Sequence, residues 1–191
     1  MSKGLMGCLV VLGIVVVVAL LVGGMVVGRY NGMVRQNEVV TNAWAQVKVV
    51  LQRRMDLIPN LVETVKGYAA HEKEVFENVA AARSKLAGAA TPAEASAANA
   101  GLSSALGRLL AIAENYPQLK ANENFIRLQD ELAGTENRIA VERRAYNEAV
   151  RVFNASIKSF PNNIIAGMFH FTARDYFEAD EAAKEAPKVK F

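Results

Sequence analysis

The sequence predicts an all-α protein: a single N-terminal transmembrane helix followed by an elongated antiparallel bundle of long helices. Three observations carry that expectation. From Leu5 to Val27 the chain reads LMGCLVVLGIVVVVALLVGGMVV, 23 residues without a charge. Beyond it the composition turns to Ala, Glu, Arg, Lys, Leu and Asn with few β-branched runs, a mixture rich in residues that lose little freedom in a helix. Two segments then repeat apolar residues every seven positions, the spacing of long helices that pack along their length.

Taken in order, residues 1–4 form a short N-terminal tail and residues 5–27 the transmembrane helix. Residues 28–36 are a juxtamembrane segment, and residues 37–191 the bundle. A bilayer core of about 30 Å needs about 20 apolar residues in a helix, so Leu5–Val27 is long enough to span. It also exceeds the apolar region of a signal peptide, about 7–15 residues, and GRYNGMVRQNE after it offers no A-x-A-like cleavage site. A lipoprotein cysteine would follow the apolar run, whereas Cys8 precedes most of it. The segment therefore reads as a single-pass anchor with the lipid bilayer as partner. Lys3 lies on one side of it and Arg29 and Arg35 on the other, which tilts the positive-inside rule slightly toward a cytoplasmic bundle. Gly24, Gly28 and Gly32 recur every four residues, and small residues at that spacing let membrane helices approach closely. They are candidates for helix–helix packing in the membrane and point to a homo-oligomer.

Beyond the anchor there are 21 basic and 19 acidic residues. That balance gives no case for nucleic acid, which needs a basic stripe with stacking aromatics. No cysteine lies in this part, so disulfides and thiolate zinc sites are excluded. In the first helical segment Trp44, Leu51, Ile58 and Val65 recur every seven residues, beside a second row of Met55, Val62, Ala69 and Phe76. Gly88 ends this helix. Thr91, Pro92 and Glu94 supply N-cap, N1 and N3 of the next, a capping box with the favoured proline, and it closes near Tyr116. Asn122 caps a third helix with a heptad row of Phe125, Leu132, Ile139, Tyr146, Phe153 and Phe160, ended by Pro161. At about 1.5 Å per residue the first and third helices reach roughly 75 and 55 Å, giving a rod-like domain. IIAGMFHF (Ile164–Phe171) reads as a lid at the distal end of the bundle or, alternatively, a contact with a membrane or partner. TARDYFEADEAAKEA reads as a last helix with Thr172 as cap, stopped by Pro187 before a KVKF tail.

The polar cluster Arg53, Arg54, Asp56 sits in LQRRMDLIPNLVETVKGY. The apolar stripe Trp44, Val47, Leu51, Met55, Ile58, Val62, Val65, Ala69 steps by three and four straight past Pro59. Pro59 therefore either kinks a continuing helix or falls in the first turn of a fresh one capped by Asp56. The charged cluster reads as structural or as an inter-subunit contact, since no base, nucleophile or metal accompanies it. HEKEV, beginning at His71, breaks the H-E-x-x-H zinc pattern at Val75, and the second histidine, His170, is a hundred residues away. Ser84, Ser103, Ser104 and Ser159 lie in no nucleophile elbow. No catalytic residue, metal ligand or cofactor is expected.

Three stretches resemble the LemA family: NEVVTNAWAQVKVVLQRRMDLIPNLVETVKGYAAHE (residues 37–72), ENRIAVERRAYNEAVRVFNASIKSFPNNIIA (136–166) and the closing ARDYFEADEAAKEAPKVKF. With the anchor, they cover nearly the whole chain. The resemblance implies a bacterial cytoplasmic-membrane protein with one span, its short N-terminus outside, a long-helix bundle and no established enzymatic activity. One branch of the family, in magnetosome-forming bacteria, is associated with forming membrane compartments, and members are discussed beside membrane proteases and envelope quality control. The sequence thus points to a non-enzymatic scaffold that self-assembles and organises or remodels the membrane. The alternative is an adaptor or sensor module that presents its bundle to a membrane protease or signalling partner.

Overall fold

The computed structural model describes residues 3–177. It is built from α1 (Lys3–Lys66), α2 (Lys73–Ala87), α3 (Pro92–Ala113), α4 (Pro117–Lys120), α5 (Glu123–Lys158) and α6 (Asn162–Met168), with no strand among the described residues. The chain divides into two compact units. One is formed by residues up to Val40 together with Arg151–Arg174, the other by Thr41–Val150 and the residues from Asp175.

In the larger unit α1 buries Val47, Leu51, Met55, Ile58, Leu61 and Val65 on one stripe. The sequence placed Val62 on that stripe. Leu61 takes the position, and Val62 is half-buried beside it. Helix α1 runs without interruption through Pro59, which faces solvent, so Asp56 caps no new helix and instead accepts a bond from Gln52 Nε2 at 2.7 Å. A proline has no N–H for the carbonyl four residues back. That carbonyl, on Met55, is taken by Arg83 Nε of α2 at 2.9 Å.

One expectation about the first helix is overturned. The helix does not continue to Gly88. It ends at Lys66, a turn over residues 67–72 follows, and α2 begins at Lys73. Periodicity could not show this, because Val65 before the break, Ala69 within it and Phe76 after it are all buried, so the apolar pattern continues across it. The extra reversal then changes the direction of everything after it. As residue numbers rise along α1, partner numbers on α5 fall: Trp44 meets Tyr146, Arg54 meets Glu136, and Tyr68 pairs with Asn122. Helix α5 therefore descends along α1.

Local signals place the other boundaries. Thr91 Oγ1 accepts from Glu94 N at 3.2 Å while Glu94 Oε2 accepts from Ala90 N and Thr91 N at 2.8 and 3.2 Å, with Pro92 at N1. Asn122 Oδ1 accepts from Phe125 N at 3.1 Å and caps α5. Helix α5 ends at Lys158, just before the cis Phe160–Pro161 bond. Its heptad row stays buried from Phe125 to Phe153, but Phe160 leaves it and stands 81% exposed.

In the smaller unit α6 packs Ile165 and Ala166 inward. It ends in a Schellman motif: Phe171 N bonds Ala166 O at 2.9 Å and His170 N bonds Gly167 O at 3.4 Å, with His170 left-handed at φ 57°. This motif turns Phe169 and Phe171 onto Tyr30, at 4.7 and 5.7 Å between ring centres. The apolar run is therefore not a distal lid. It lies beside Tyr30, three residues past the end of the uncharged stretch. Residues 171–177 are not helical, so Thr172 opens no helix there. Asn154 donates to Arg174 O and accepts from Arg174 N, both at 2.8 Å. In the larger unit Asn147 pairs in the same way with Phe177 O and N at 2.9 and 2.8 Å, and Tyr146 donates to Asp175 O. A backbone claimed on both N–H and C=O by side chains has no need of helical bonds. The rest of the anticipated last helix, with Pro187, lies outside the described residues.

Replacing Arg83 with Met keeps the stem and leaves the Met55 carbonyl without its donor. Urea unfolding of Arg83→Met should show a loss of about 1–2 kcal/mol. The loss should shrink in a Pro59→Ala background, where an amide returns to that carbonyl. The Glu94 carboxyl is held below its usual range, chiefly by the backbone amides of Ala90 and Thr91. A carboxylate depressed in the folded state stabilises above its unfolded value and loses that contribution as pH falls through the folded one. Acid titration should therefore loosen the N-terminus of α3 below about pH 4, and Glu94→Gln should flatten that response in amide exchange at residues 91–95.

Candidate functional site

The most polar point of the buried interior is Arg54. It falls on the α1 stripe between Leu51 and Met55 and is 5% exposed. Desolvation must then be met by partners, and α3 and α5 supply them. Asn99 and Ser103 stand one turn apart on α3, so both face α1. Arg54 Nη1 donates to Asn99 Oδ1 at 2.6 Å and Nη2 to Ser103 Oγ at 3.0 Å. Glu136 of α5 brings its carboxylate to 2.5 Å from Nη1, with its side chain 48% exposed. Nε is buried without a partner. Burial pulls the guanidinium below its usual value and Glu136 opposes that shift, which leaves the group charged at any physiological pH. The cluster can hold three helices in register. It has no nucleophile with an adjacent base.

The other residues singled out from sequence lie apart from it. Arg53 points outward, 3.9 Å from Glu131 on α5, both exposed, and Asp56 stays with Gln52 on its own helix. Each of the three charged residues has a partner within its own chain. Pro59 sits beyond the cluster and is exposed, at the edge of a groove shared with Phe76, Val79 and Arg83 of α2. Gly24 and Gly28 are exposed and Gly32 is half-buried, and a Cβ added at any of them would meet nothing within 4 Å. Around them the flanking stretch of α1 is long and apolar enough to cross a membrane, with none of its most apolar window buried. His71 and His170 are each exposed, and among the described residues no three His, Cys, Asp or Glu gather in a way that could hold a metal ion.

Sequence reasoning did not name Asn99, Ser103 or Glu136 as partners of Arg54. The available signal was the arginine itself, the one cation on an otherwise apolar stripe, which demands a buried acceptor. The asparagine clamps were also missed, although Asn147 and Asn154 carry a seven-residue spacing of their own directly after the aromatic row Tyr146 and Phe153.

These features define a class: a helical bundle carried on a long apolar helix, membrane-associated, with its polar interior given to packing. The chain belongs to the LemA family, whose family model matches residues 43–191. It is 27% identical to magnetosome protein MamQ 2 of Paramagnetospirillum magneticum over 99% of this chain and 78% of that one. It is 28% identical to magnetosome protein MamQ of Magnetospirillum gryphiswaldense, over 84% and 68% of the two chains. With protein LemA of Metamycoplasma hominis it shares 27% over 81% and 71%. None of these relatives is named for a reaction.

Glu136→Ala strands a buried guanidinium and should lower stability by about 2 kcal/mol, toward the low end for a broken buried pair because Glu136 is half in water. Arg54→Met with Glu136→Leu should recover most of that loss, since an apolar pair of similar volume restores packing without a charge to desolvate. Equilibrium unfolding of the single and double variants measures both.

Proposed function

We propose that this protein is a non-enzymatic scaffold of the bacterial cytoplasmic membrane that self-assembles and organises or remodels that membrane. Its short N-terminus lies outside and its bundle on the cytoplasmic side. The observation that carries this reading is the course of α1. One helix holds the unburied apolar stretch and the first stave of the bundle, so any association of the bundles is tied to the lipid around the anchor. Three further facts support it. The face bearing Gly24, Gly28 and Gly32 is open to a second helix. The two terminal nitrogens of Arg54 are taken by packing partners on α3 and α5, which present no reacting group. Arg29 and Arg35 outnumber Lys3 across the apolar stretch, which favours the cytoplasm for the bundle. Two of the similar proteins are named magnetosome proteins, and that branch of the family is associated with forming membrane compartments.

Mass photometry of the full chain in nanodiscs tests the reading. An oligomer is expected, reduced toward monomer by Gly24→Ile with Gly28→Ile, which fills the open face. A strict monomer sinks the scaffold reading. A stoichiometric second protein recovered by crosslinking in cells, in place of self-association, would favour an adaptor that serves a membrane protease or signalling partner.

A further inference from the structure

The smaller unit exposes large apolar side chains where a water-soluble surface should not. Phe160 is 81% exposed, Met168 68%, Ile164 55% and Phe169 47%, all within ten residues, while Ile165 and Ala166 of the same short helix face inward. Large apolar side chains exposed so close together in the chain mark a candidate binding face. Its position says which kind. Phe169 and Phe171 rest on Tyr30, and Tyr30 follows Val27, the last residue of the uncharged stretch, by three residues, about 5 Å along a helix. The interfacial layer on each side of the hydrocarbon is about 5–8 Å deep. With Leu5–Val27 in the bilayer, the patch stands at headgroup level, where aromatic rings are favoured.

Charge points the same way. Residues 1–40 and 151–174 contain Lys3, Arg29, Arg35, Arg151, Lys158 and Arg174 against Glu38 alone. By difference from the chain totals of 22 and 19, the remaining residues carry 16 basic and 18 acidic groups. The excess of positive charge is thus confined to the unit that bears the patch. Lys158, exposed, is two residues from Phe160, and no acidic residue lies between Glu148 and Asp175.

We infer that α6 and its flanks are a second membrane contact: Phe160, Ile164, Met168 and Phe169 enter the interface of the leaflet that α1 leaves, and Lys158 meets anionic phospholipid headgroups there. This rests on the reading of α1 as an anchor. The chain would then hold its membrane at two points, a span and a basic, apolar foot beside it. A peripheral apolar face with cations at its rim binds anionic surfaces in this manner.

The test uses the full chain with Cys8→Ser, reconstituted in vesicles of phosphatidylcholine alone or with phosphatidylglycerol. A nitroxide label is placed singly at Ile164→Cys, at Ser104→Cys, an exposed position of α3, or at Val18→Cys in the apolar stretch, with helicity checked by circular dichroism. In the phosphatidylglycerol vesicles, the ratio of collision with oxygen to collision with a water-soluble nickel chelate should be several-fold higher at 164 than at 104. It should fall with phosphatidylcholine alone, in high salt, or on adding Lys158→Glu. A label at 164 as open to nickel as that at 104, while 18 is shielded, overturns the inference and leaves the anchor standing; nickel access at 18 overturns the anchor. Immersion at 164 indifferent to lipid charge and to Lys158 overturns the anionic contact. Dipolar broadening at 164 with neither oxygen nor nickel access would give the patch to a second copy of the chain and overturn the inference.

Discussion

Helix α1 has to satisfy two solvents, and the other elements follow from how it does so. Over Leu5–Val27 it is apolar on every face, and a helix bonds its own backbone, so this stretch can stand in lipid with no protein partner. From Arg29 onward charged residues return, and from Met33 only one stripe is buried. That stripe cannot face water and must be covered along its length. In the smaller unit, where Met33 and Val40 lie on it, α5 contributes buried Phe153 and Ile157 and α6 contributes Ile165. In the larger unit the cover comes from α2, α3 and α5. The change of solvent falls between Val27 and Met33, and that is where Tyr30 takes the aromatic rings of the α6 segment.

Covering a stripe with apolar side chains does not by itself fix which residue meets which, because helices can slide past one another with little change in buried area. Arg54 removes that freedom. A guanidinium buried to this degree is costly unless its donors are met in good geometry, and the acceptors are single positions on two helices: Asn99 with Ser103 on α3, and Glu136 on α5. A shift of α3 by one turn would leave Asn99 or Ser103 without the guanidinium. Glu136 retains partial hydration, which moderates the desolvation of the pair while still opposing the charge. The unpartnered Nε shows that the network favours register over complete satisfaction. Polar groups of this sort contribute more to the choice of one arrangement than to its net stability.

Much of this was legible in the sequence because it is written in local signals. The capping box at Thr91 and Glu94, the cap at Asn122 and the stop before Pro161 each depend on residues within a few positions of one another, and each stands where the sequence placed it. What was not legible depended on distant partners. Heptad rows record burial and are blind to a reversal that keeps the same faces inward, so the break after Lys66 was invisible and the α6 segment was assigned to the wrong end. The segment after Phe171 has helix-forming composition, yet Asn154 and Asn147 claim the backbone of Arg174 and Phe177, and Phe177 is buried against Trp44 at 6.2 Å between rings. Arg54 was singled out only as one of a charged cluster with Arg53 and Asp56, and its partners lie 45 and more residues away.

Proline and glycine exchange their usual parts in α1, and the exchange shows how far tertiary partners decide local structure. Pro59 in a helix interior would ordinarily cost about 3 kcal/mol, yet the helix passes through it with its stripe in phase. The lost bond is replaced from outside, by Arg83, and the proline itself stays exposed at the edge of the groove beside α2. Gly67 is the milder breaker, with a propensity penalty of about 1 kcal/mol, and there the helix does stop. No outside donor or acceptor is needed, because Tyr68 N and Ala69 N both close onto Val65 O within the turn itself, and Ala69 reaches the core at once. The two residues are linked through α2: only because the chain reverses after Lys66 does Arg83 come back alongside Met55. The weaker breaker thus creates the helix that makes the stronger one tolerable, and an unbroken first helix would leave Pro59 with an unmet carbonyl facing the core.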